Sequence, residues 1–157
     1  MLQRLKTKHE AKSLKAQLTH LKGVESIAKI YTDAVRLTPA GENYLRYSSG
    51  NRIYDRSIYS SSQYASLKKQ KNIGRLVIAN SLIQKRKLTN DPSREIVEIP
   101  KDFELFEDNI SKLIYGDRVA IIDHDLLEAF VIESSRFAEY ERKIFHYLLK
   151  HLRERKS

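Results

Sequence analysis

The 157-residue sequence contains no cysteine. This absence excludes disulfides, thiol nucleophiles and metal sites built on thiolates, and it is typical of a protein that works in a reducing compartment. The chain also lacks any run of 18 apolar residues, so no transmembrane helix is predicted. Its N-terminus lacks the apolar stretch of a secretory signal. We therefore expect a cytoplasmic protein without membrane association.

Histidine is present but scattered, at His9, His20, His124, His146 and His151. His146 and His151 lie five residues apart on a predicted helix, a spacing that suits metal ligation less well than four, and no carboxylate is placed to complete a site. The sequence therefore predicts neither a metal site nor a cofactor.

Positive charge exceeds negative charge, with 29 Lys and Arg against 20 Asp and Glu and a formal net charge of +9. The excess is unevenly distributed. Residues 1–22 and 68–87 are basic, residues 95–141 are acidic, and the tail from Arg142 is basic again. A phosphate-binding surface needs its cations on one face. Because these cations belong to separate segments, the net charge alone is weak evidence for direct DNA contact.

Hydrophobic periodicity predicts one α/β domain with a mixed sheet flanked by helices. Strands are predicted at 42–49, 75–81, 95–100, 109–115, 117–123 and 128–134, and helices at 25–37, 57–73 and 81–88, followed by a long closing helix. Ser134 or Ser135 can cap that closing helix. Its predicted buried stripe consists of Phe137, Tyr140, Ile144, Phe145, Leu148, Leu149 and Leu152.

Residues 2–22 show a narrow apolar seam at three- and four-residue spacing, which predicts a coiled-coil helix that ends at Gly23. The seam consists of Leu5, Ala11, Leu14, Leu18 and Leu21. We expect residues 1–22 to form a helical arm that makes a homodimer, ahead of a domain at 24–157. The alternative is a helix that packs on the surface of its own domain.

The stretch IYGDRVAIIDHDLLEAFVIES at 114–134 has a Gly-Asp pair ahead of two apolar runs. IYGDRVAII, FVIES and the following FAEYERKIFHYLLK resemble the phospholipase D-like domain at the C-terminus of TrmB-type transcription regulators, and the resemblance covers roughly residues 24–152. It implies a phospholipase D-like fold, a dimerising and effector-sensing role, and DNA binding only through a winged-helix module that this chain does not include.

Catalytic members of the phospholipase D family carry H-x-K-x-x-x-x-D on a strand. Here Gly116, Arg118 and Asp123 occupy the corresponding positions, so a cation and a carboxylate remain while the histidine is replaced by glycine. Without an imidazole the site has neither a covalent nucleophile nor a general acid of suitable pKa. We therefore expect a protein that is not an enzyme.

A small-molecule effector would bind where strands end at the carboxyl edge of the sheet. The residues predicted there are Ser48, Asn80, Ser81, Asp117 and Arg118, with Arg118 as the strongest candidate because it could hold an anionic group. The alternative for Arg118 is an ion pair with Asp117 or Glu133.

A second hypothesis is a basic nucleic-acid-binding module. In that case the basic segment at 68–87 would contact phosphates, and Tyr54, Tyr59 and Tyr64 would offer rings for base stacking. Tyr59 and Tyr64 lie five apart on a predicted helix and do not share a face well. A steep dependence of binding on salt concentration would favour this hypothesis.

Overall fold

The computed structural model describes residues 15–49, 61–80, 94–103 and 108–155. The strands are β1 (Gln17–Lys22), β2 (Asn43–Ser48), β3 (Gly74–Asn80), β4 (Arg94–Ile99), β5 (Ile110–Tyr115), β6 (Arg118–Asp123) and β7 (Glu128–Glu133). The helices are α1 (Val24–Leu37), α2 (Ser62–Gln70) and α3 (Ser135–Arg155), and a short 3-10 turn follows β4 at Lys101–Phe103. The predicted α/β class is confirmed. The helix predicted at 81–88 lies outside the described residues.

All seven strands belong to one mixed sheet in the order β1-β7-β6-β5-β2-β3-β4. β2, β3 and β4 pair in parallel, whereas β5, β6 and β7 form an antiparallel meander. β5 also runs antiparallel to β2, so β2 and β6 point in the same direction. The carboxyl ends of β2, β3 and β6 therefore meet at one edge of the sheet, which we call the carboxyl edge. The opposite edge is the amino edge.

Helices cover both faces of the sheet. α1 and α2 pack on one face, where Ile27, Ile30 and Val35 meet Tyr44, Leu113 and Ile122. α3 packs on the other face and buries Phe145, Leu149 and Leu152 against residues such as Leu45, Ile78 and Val97. Side chains alternate between the faces along a strand. This alternation places Tyr44, Arg46 and Ser48 of β2 towards α1 and α2, and it decides which polar groups can meet.

Lys71, just after α2, fixes the end of α1. Its ammonium group donates hydrogen bonds to the carbonyls of Val35, Arg36 and Thr38 at 2.9, 2.7 and 2.6 Å. These carbonyls lie at the C-terminal end of α1, where backbone acceptors lack intrahelical partners and the helix dipole is negative. This basic residue therefore has a structural role in joining the two helices.

The helix predicted over residues 2–22 is wrong for Gln17–Lys22, which form β1 and pair antiparallel with β7. β7 would otherwise expose an unpaired edge, and strand pairing overrides the helical spacing of the leucines. Leu18 is 69% exposed on the face that carries α3, whereas Leu21 packs against the α1 core. Leu5, Ala11 and Leu14 lie outside the described residues, so their part in a dimer stays a prediction.

Gly23 connects β1 to α1 rather than ending a helix. Its φ of 92° is in the region that favours glycine, and its amide donates to the carbonyl of Leu127 at 2.8 Å. The turn that starts α1 is therefore attached to the turn between β6 and β7.

The prediction for α3 is correct in its N-cap and half wrong in its buried stripe. The hydroxyl of Ser134 accepts from the amide of Phe137 at 3.3 Å. Phe145, Leu149 and Leu152 are buried as expected, but Phe137, Tyr140 and Ile144 are exposed. A helix that lies on a flat sheet buries only the side that faces the sheet, so the wide apolar face is divided between a buried and an exposed half. None of the described helices has the length and apolar character needed to span a bilayer.

Candidate anion-binding site

A buried polar cluster lies at the carboxyl edge, on the sheet face covered by α1 and α2. Its centre is Arg46 of β2, which is only 4% exposed. The Arg46 Nη2 donates to the hydroxyl oxygen of Ser111 at 3.1 Å and, at 3.5 Å, to that of Ser48. Its guanidinium lies 5.7 Å from the ring centre of Tyr31 on α1. Ser48 and Ser111 pair across β2 and β5, which brings both hydroxyls within reach of one cation.

His124 extends this cluster from the turn after β6. Its Nε2 lies 2.9 Å from the Ser111 hydroxyl oxygen. Burial lowers the pKa of His124 to about 4, and the positive charge of Arg46 adds to the effect against the opposing influence of Asp123 and Asp125. His124 is therefore neutral at pH 7, and its Nε2 can accept the hydroxyl proton of Ser111 while Ser111 accepts from Arg46.

The turn that positions His124 is held by its own polar side chains. The Asp123 carboxylate accepts from the amides of Asp125 and Leu126 at 3.0 and 2.9 Å. The amide of His124 donates to the carbonyl of Asn109, and the Asn109 side chain donates to Asp125 at 3.2 Å. Asp123 therefore acts as a turn cap, a common use of aspartate. The turn in this way fixes the His124 ring beside Ser111.

Arg75 of β3 adds a second buried cation on the same face. It is 9% exposed and pairs with Tyr44 of β2. Arg46 pairs with Val77, two residues after Arg75 on β3. Its electrostatic neighbours are the phenols of Tyr44, Tyr64 and Tyr31. Within the part of the chain that the structure describes, no carboxylate comes within 4.0 Å of Arg75. Its Nε, which is buried, has no hydrogen-bond partner. A buried guanidinium in such surroundings favours the approach of an anion.

The lowered pKa of Tyr44 indicates positive potential in this cluster. Burial by itself would raise the pKa of this phenol, but the charge of Arg75, the hydrogen bond with Tyr64 and the charge of Arg46 lower it below its ordinary value. For His124 burial is the main cause of the depressed pKa, and the charge of Arg46 adds a smaller effect in the same direction. A positive potential inside a buried polar cluster is the condition that an anionic ligand group requires.

Arg118 lies at the amino edge, in surroundings of opposite character. Its guanidinium has three carboxylates at 3.6 to 3.8 Å, from Asp33, Asp117 and Glu133. Asp33 also binds Arg36 at 2.7 Å. Two cations and three carboxylates leave this group of residues with excess negative charge. The ion pairs considered as the alternative for Arg118 are therefore present, and the surroundings disfavour an anionic ligand at this residue.

The backbone at Gly116 disfavours the histidine that the catalytic motif has at this position. Its φ is +52°, which favours glycine, and an added Cβ would lie 3.1 Å from the Cβ of Leu37. The carbonyl of Gly116 accepts from Arg142 of α3 at 2.7 Å. A cleft of about 280 Å³ lies beside this residue, with Thr38 and Tyr115 in its wall. With Arg118 neutralised and Asp123 used as a turn cap, all three motif positions have structural functions.

The structure separates the five residues predicted to form one ligand site. Ser48 belongs to the buried cluster, and Asp117 and Arg118 lie at the amino edge. Ser48 is level with Ile122, four residues along β6 from Arg118, which corresponds to roughly 13 Å along the strand. Asn80 is fully buried. It lies on the face that carries α3, because residues two apart on a strand share a face and Ile78 packs against α3. Ser81 lies outside the described residues.

Sequence reasoning missed Arg46, Arg75, Ser111 and His124. A signal was present for the arginines, because each is a cation inside a short apolar strand, in NYLRYS and GRLVIAN. A lone cation in such a strand is either at an edge or part of a buried polar group. No sequence signal joins Ser111 to His124, since their contact depends on the register of β5 with β6. In the described residues no group of His, Asp and Glu has a geometry that could hold a metal ion.

The tyrosines proposed for base stacking do not form a platform on α2. The hydroxyl of Tyr64 lies 3.2 Å from that of Tyr44, and the ring packs against the α1 core. Burial, together with Tyr44, raises the pKa of Tyr64. Tyr64 is therefore unavailable to a base, while Tyr54 and Tyr59 lie outside the described residues.

Comparison with known proteins gives a fold-level relationship. No family model matches the chain, and no curated protein sequence matches it. Among solved structures, NucT from Helicobacter pylori matches with a TM-score of 0.59 and 12% identity, over 87% of this chain and 96% of NucT. TrmBL2, an archaeal chromatin protein whose structure shows a novel mode of DNA binding, matches with a TM-score of 0.57 and 10% identity over 95% of this chain.

This chain spans 64% of the TrmBL2 chain. At 10 to 12% identity, both likenesses show a common fold. The relationship to a TrmB-like protein is therefore shown at the level of the fold, and assignment to the phospholipase D-like domains stays a prediction.

Proposed function

We propose that this chain is a non-catalytic regulatory domain that binds an anionic effector at the cluster of Arg46, Arg75, Ser48, Ser111 and His124. The observation that carries the proposal is the buried Arg75 guanidinium, which has phenols and no carboxylate around it in the described residues. Arg46 and Arg75 lie on the same face of adjacent strands, and guanidinium groups bind phosphate, sulfate and carboxylate groups through paired N–H donors. The fold shared with TrmBL2 supports a role in DNA-associated regulation.

The absence of catalysis is part of this proposal. A phosphoryl-transfer site needs a nucleophile and cations directed at the transferred group. Here Gly116 is packed against Leu37, and Arg118 is surrounded by carboxylates. A strand that resembles a catalytic motif therefore keeps its place in the sheet and serves as a scaffold.

Thermal unfolding in inorganic phosphate tests the anion site. The melting temperature is measured from 0 to 50 mM phosphate, with sodium chloride added to keep the ionic strength constant. A ligand at ten times its Kd stabilises a protein by about 1.4 kcal/mol. For a domain of this size that free energy corresponds to a rise of roughly 4 °C. Phosphate is expected to produce this rise in the unmodified chain.

Matched arginine variants locate the effect. Arg75→Gln is expected to abolish the phosphate-dependent rise, whereas Arg118→Gln is expected to retain it. Circular dichroism verifies that each variant is folded before the titration. A rise that is lost in Arg118→Gln and kept in Arg75→Gln would refute the proposed site and restore the one predicted from sequence. The absence of any rise in the unmodified chain would also refute it.

A further inference from the structure

The outer face of α3 carries an exposed row of aromatic and aliphatic side chains. Phe137, Tyr140, Ile144 and Tyr147 are 54%, 62%, 42% and 77% exposed. Their spacing of three, four and three residues places them along one side of the helix. The sheet-facing residues Ala138, Phe145, Leu149 and Leu152 are all buried. The exposed row is therefore a second apolar surface, additional to the one that holds α3 on the sheet.

A row of cations runs beside these rings. Arg136, Lys143 and Lys150 repeat every seven residues, which corresponds to about 10 Å along a helix. In the described part of the chain none of the three has an ion-pair partner. Arg136, Phe137 and Tyr140 recur seven residues later as Lys143, Ile144 and Tyr147. A cation followed four residues later by a tyrosine therefore occurs twice along the helix, as Arg136 with Tyr140 and as Lys143 with Tyr147.

The acidic side chains of α3 do not neutralise this row. Glu139 binds Arg142 at 3.0 Å, and Glu141 binds Lys112 of β5 at 2.6 Å. The whole helix has six Lys and Arg residues against three Glu. The exposed face therefore combines uncompensated positive charge with accessible aromatic rings.

We propose that this face binds single-stranded nucleic acid, with phosphates at Arg136, Lys143 and Lys150 and bases stacked on Tyr140 and Tyr147. Proteins that bind single strands combine cations along the backbone with rings on which successive bases stack. In a duplex the bases stack on one another, so a row of rings adds little. A single strand is therefore the occupant that uses both features.

The charges disfavour a second copy of the chain as the occupant. An interface around a two-fold axis brings the same surface patch of both copies together. The cation rows flanking the two apolar rows would then approach each other, and like charges at flanking positions destabilise a helix pair. A polyanion instead gains from every one of these cations.

The test measures binding of fluorescein-labelled oligo(dT), 15 nucleotides long, by fluorescence anisotropy at 50, 100 and 200 mM NaCl. Each phosphate contact on a single strand contributes about 0.7 to the slope of log affinity against log salt. The Lys143→Gln/Lys150→Gln variant is expected to lower that slope by about 1.4. Lys29→Gln/Lys69→Gln removes two exposed charges from α1 and α2, on the other face of the sheet, and is expected to leave the slope unchanged.

The tyrosines are tested separately. Removing one stacked ring weakens binding by about tenfold, so Tyr140→Ala/Tyr147→Ala is expected to lose about a hundredfold with no change in salt slope. Failure of the unmodified chain to bind oligo(dT) at 50 mM NaCl would overturn the proposal, as would equal losses in the two lysine double variants. Light scattering tests whether a second copy of the chain binds this face instead. If the unmodified chain is a dimer, and the tyrosine variant is a monomer that binds oligo(dT) normally, the face is a dimer interface and the proposal is overturned.

This inference is independent of the anion site. Arg75 lies on the opposite face of the sheet from α3. Arg75→Gln is therefore expected to bind oligo(dT) as the unmodified chain does, even where it no longer responds to phosphate. A loss of oligo(dT) binding in Arg75→Gln would place the nucleic-acid contact at the buried cluster and overturn the assignment to α3.

Discussion

His124 makes the stability of the fold depend on pH in a way that can be calculated. The pKa of its imidazole is about 4 in the folded protein, against 6.5 for an ordinary histidine. Because the folded-state value is the lower one, the unfolded chain binds the proton more tightly between these two values. The stability that His124 contributes is therefore fully present above pH 6.5 and is lost as the pH falls towards 4.

The size of the loss follows from the two values. Each unit of pKa difference corresponds to 1.36 kcal/mol, so the full difference corresponds to about 3 kcal/mol. Linkage gives a loss of about 1.4 kcal/mol at pH 5.5 and about 2.5 kcal/mol at pH 4.5. This is a sizeable part of the stability of a typical domain.

The assay compares urea unfolding of the unmodified chain with that of His124→Gln at pH 7.0, 5.5 and 4.5. Glutamine retains an acceptor for the Ser111 hydroxyl and does not titrate in this range. All other titratable groups are present in both proteins, so the difference between the two unfolding free energies isolates the contribution of His124. That difference is expected to shrink by about 2.5 kcal/mol from pH 7.0 to 4.5. A constant difference would refute the buried, neutral state of His124.

Two further predictions concern the strand that resembles a catalytic motif. In urea unfolding, Gly116→Ala is expected to destabilise the fold by roughly 1 kcal/mol more than Gly41→Ala does. Both positions have positive φ, but only at Gly116 would the added Cβ lie 3.1 Å from a neighbouring side chain, that of Leu37. Equal losses of stability in the two variants would mean that the contact with Leu37 is unimportant. The unmodified chain is expected to leave bis(p-nitrophenyl) phosphate and single-stranded DNA uncleaved with and without divalent cations, and turnover that scales with protein through successive purification steps would contradict a non-catalytic role.

The strand that resembles a catalytic motif, β6, has structural roles at both its apolar and its polar positions. Val119, Ala120 and Ile122 of β6 are buried between the two layers of helices, so the apolar part of the strand is needed for packing. The polar positions are under a different constraint. Arg118 and Asp123 make contacts that hold α1 and a turn, which gives them a structural role that does not require catalysis.

Local sequence determined most elements of this protein. β3 and the three meander strands are short apolar segments bounded by turn residues, and the periodicity of α1 is that of an amphipathic helix. Their boundaries agree with the structure within one or two residues because hydrophobic periodicity and capping act over only a few positions. The glycine at the position that would correspond to the histidine of the catalytic motif was also evident from sequence alone.

Tertiary structure decided three features that no local pattern contains. The leucines of QLTHLK suit a helix, but pairing with β7 makes them a strand. The wide apolar face of α3 divides into a buried and an exposed half because a sheet contacts only one side of a helix. The candidate anion site moved from Arg118 to Arg46 and Arg75 because strand register, which couples residues far apart in the chain, sets which charges meet. Local sequence sets the helix or strand preference of each segment, whereas pairing between distant strands decides which side chains surround each charge.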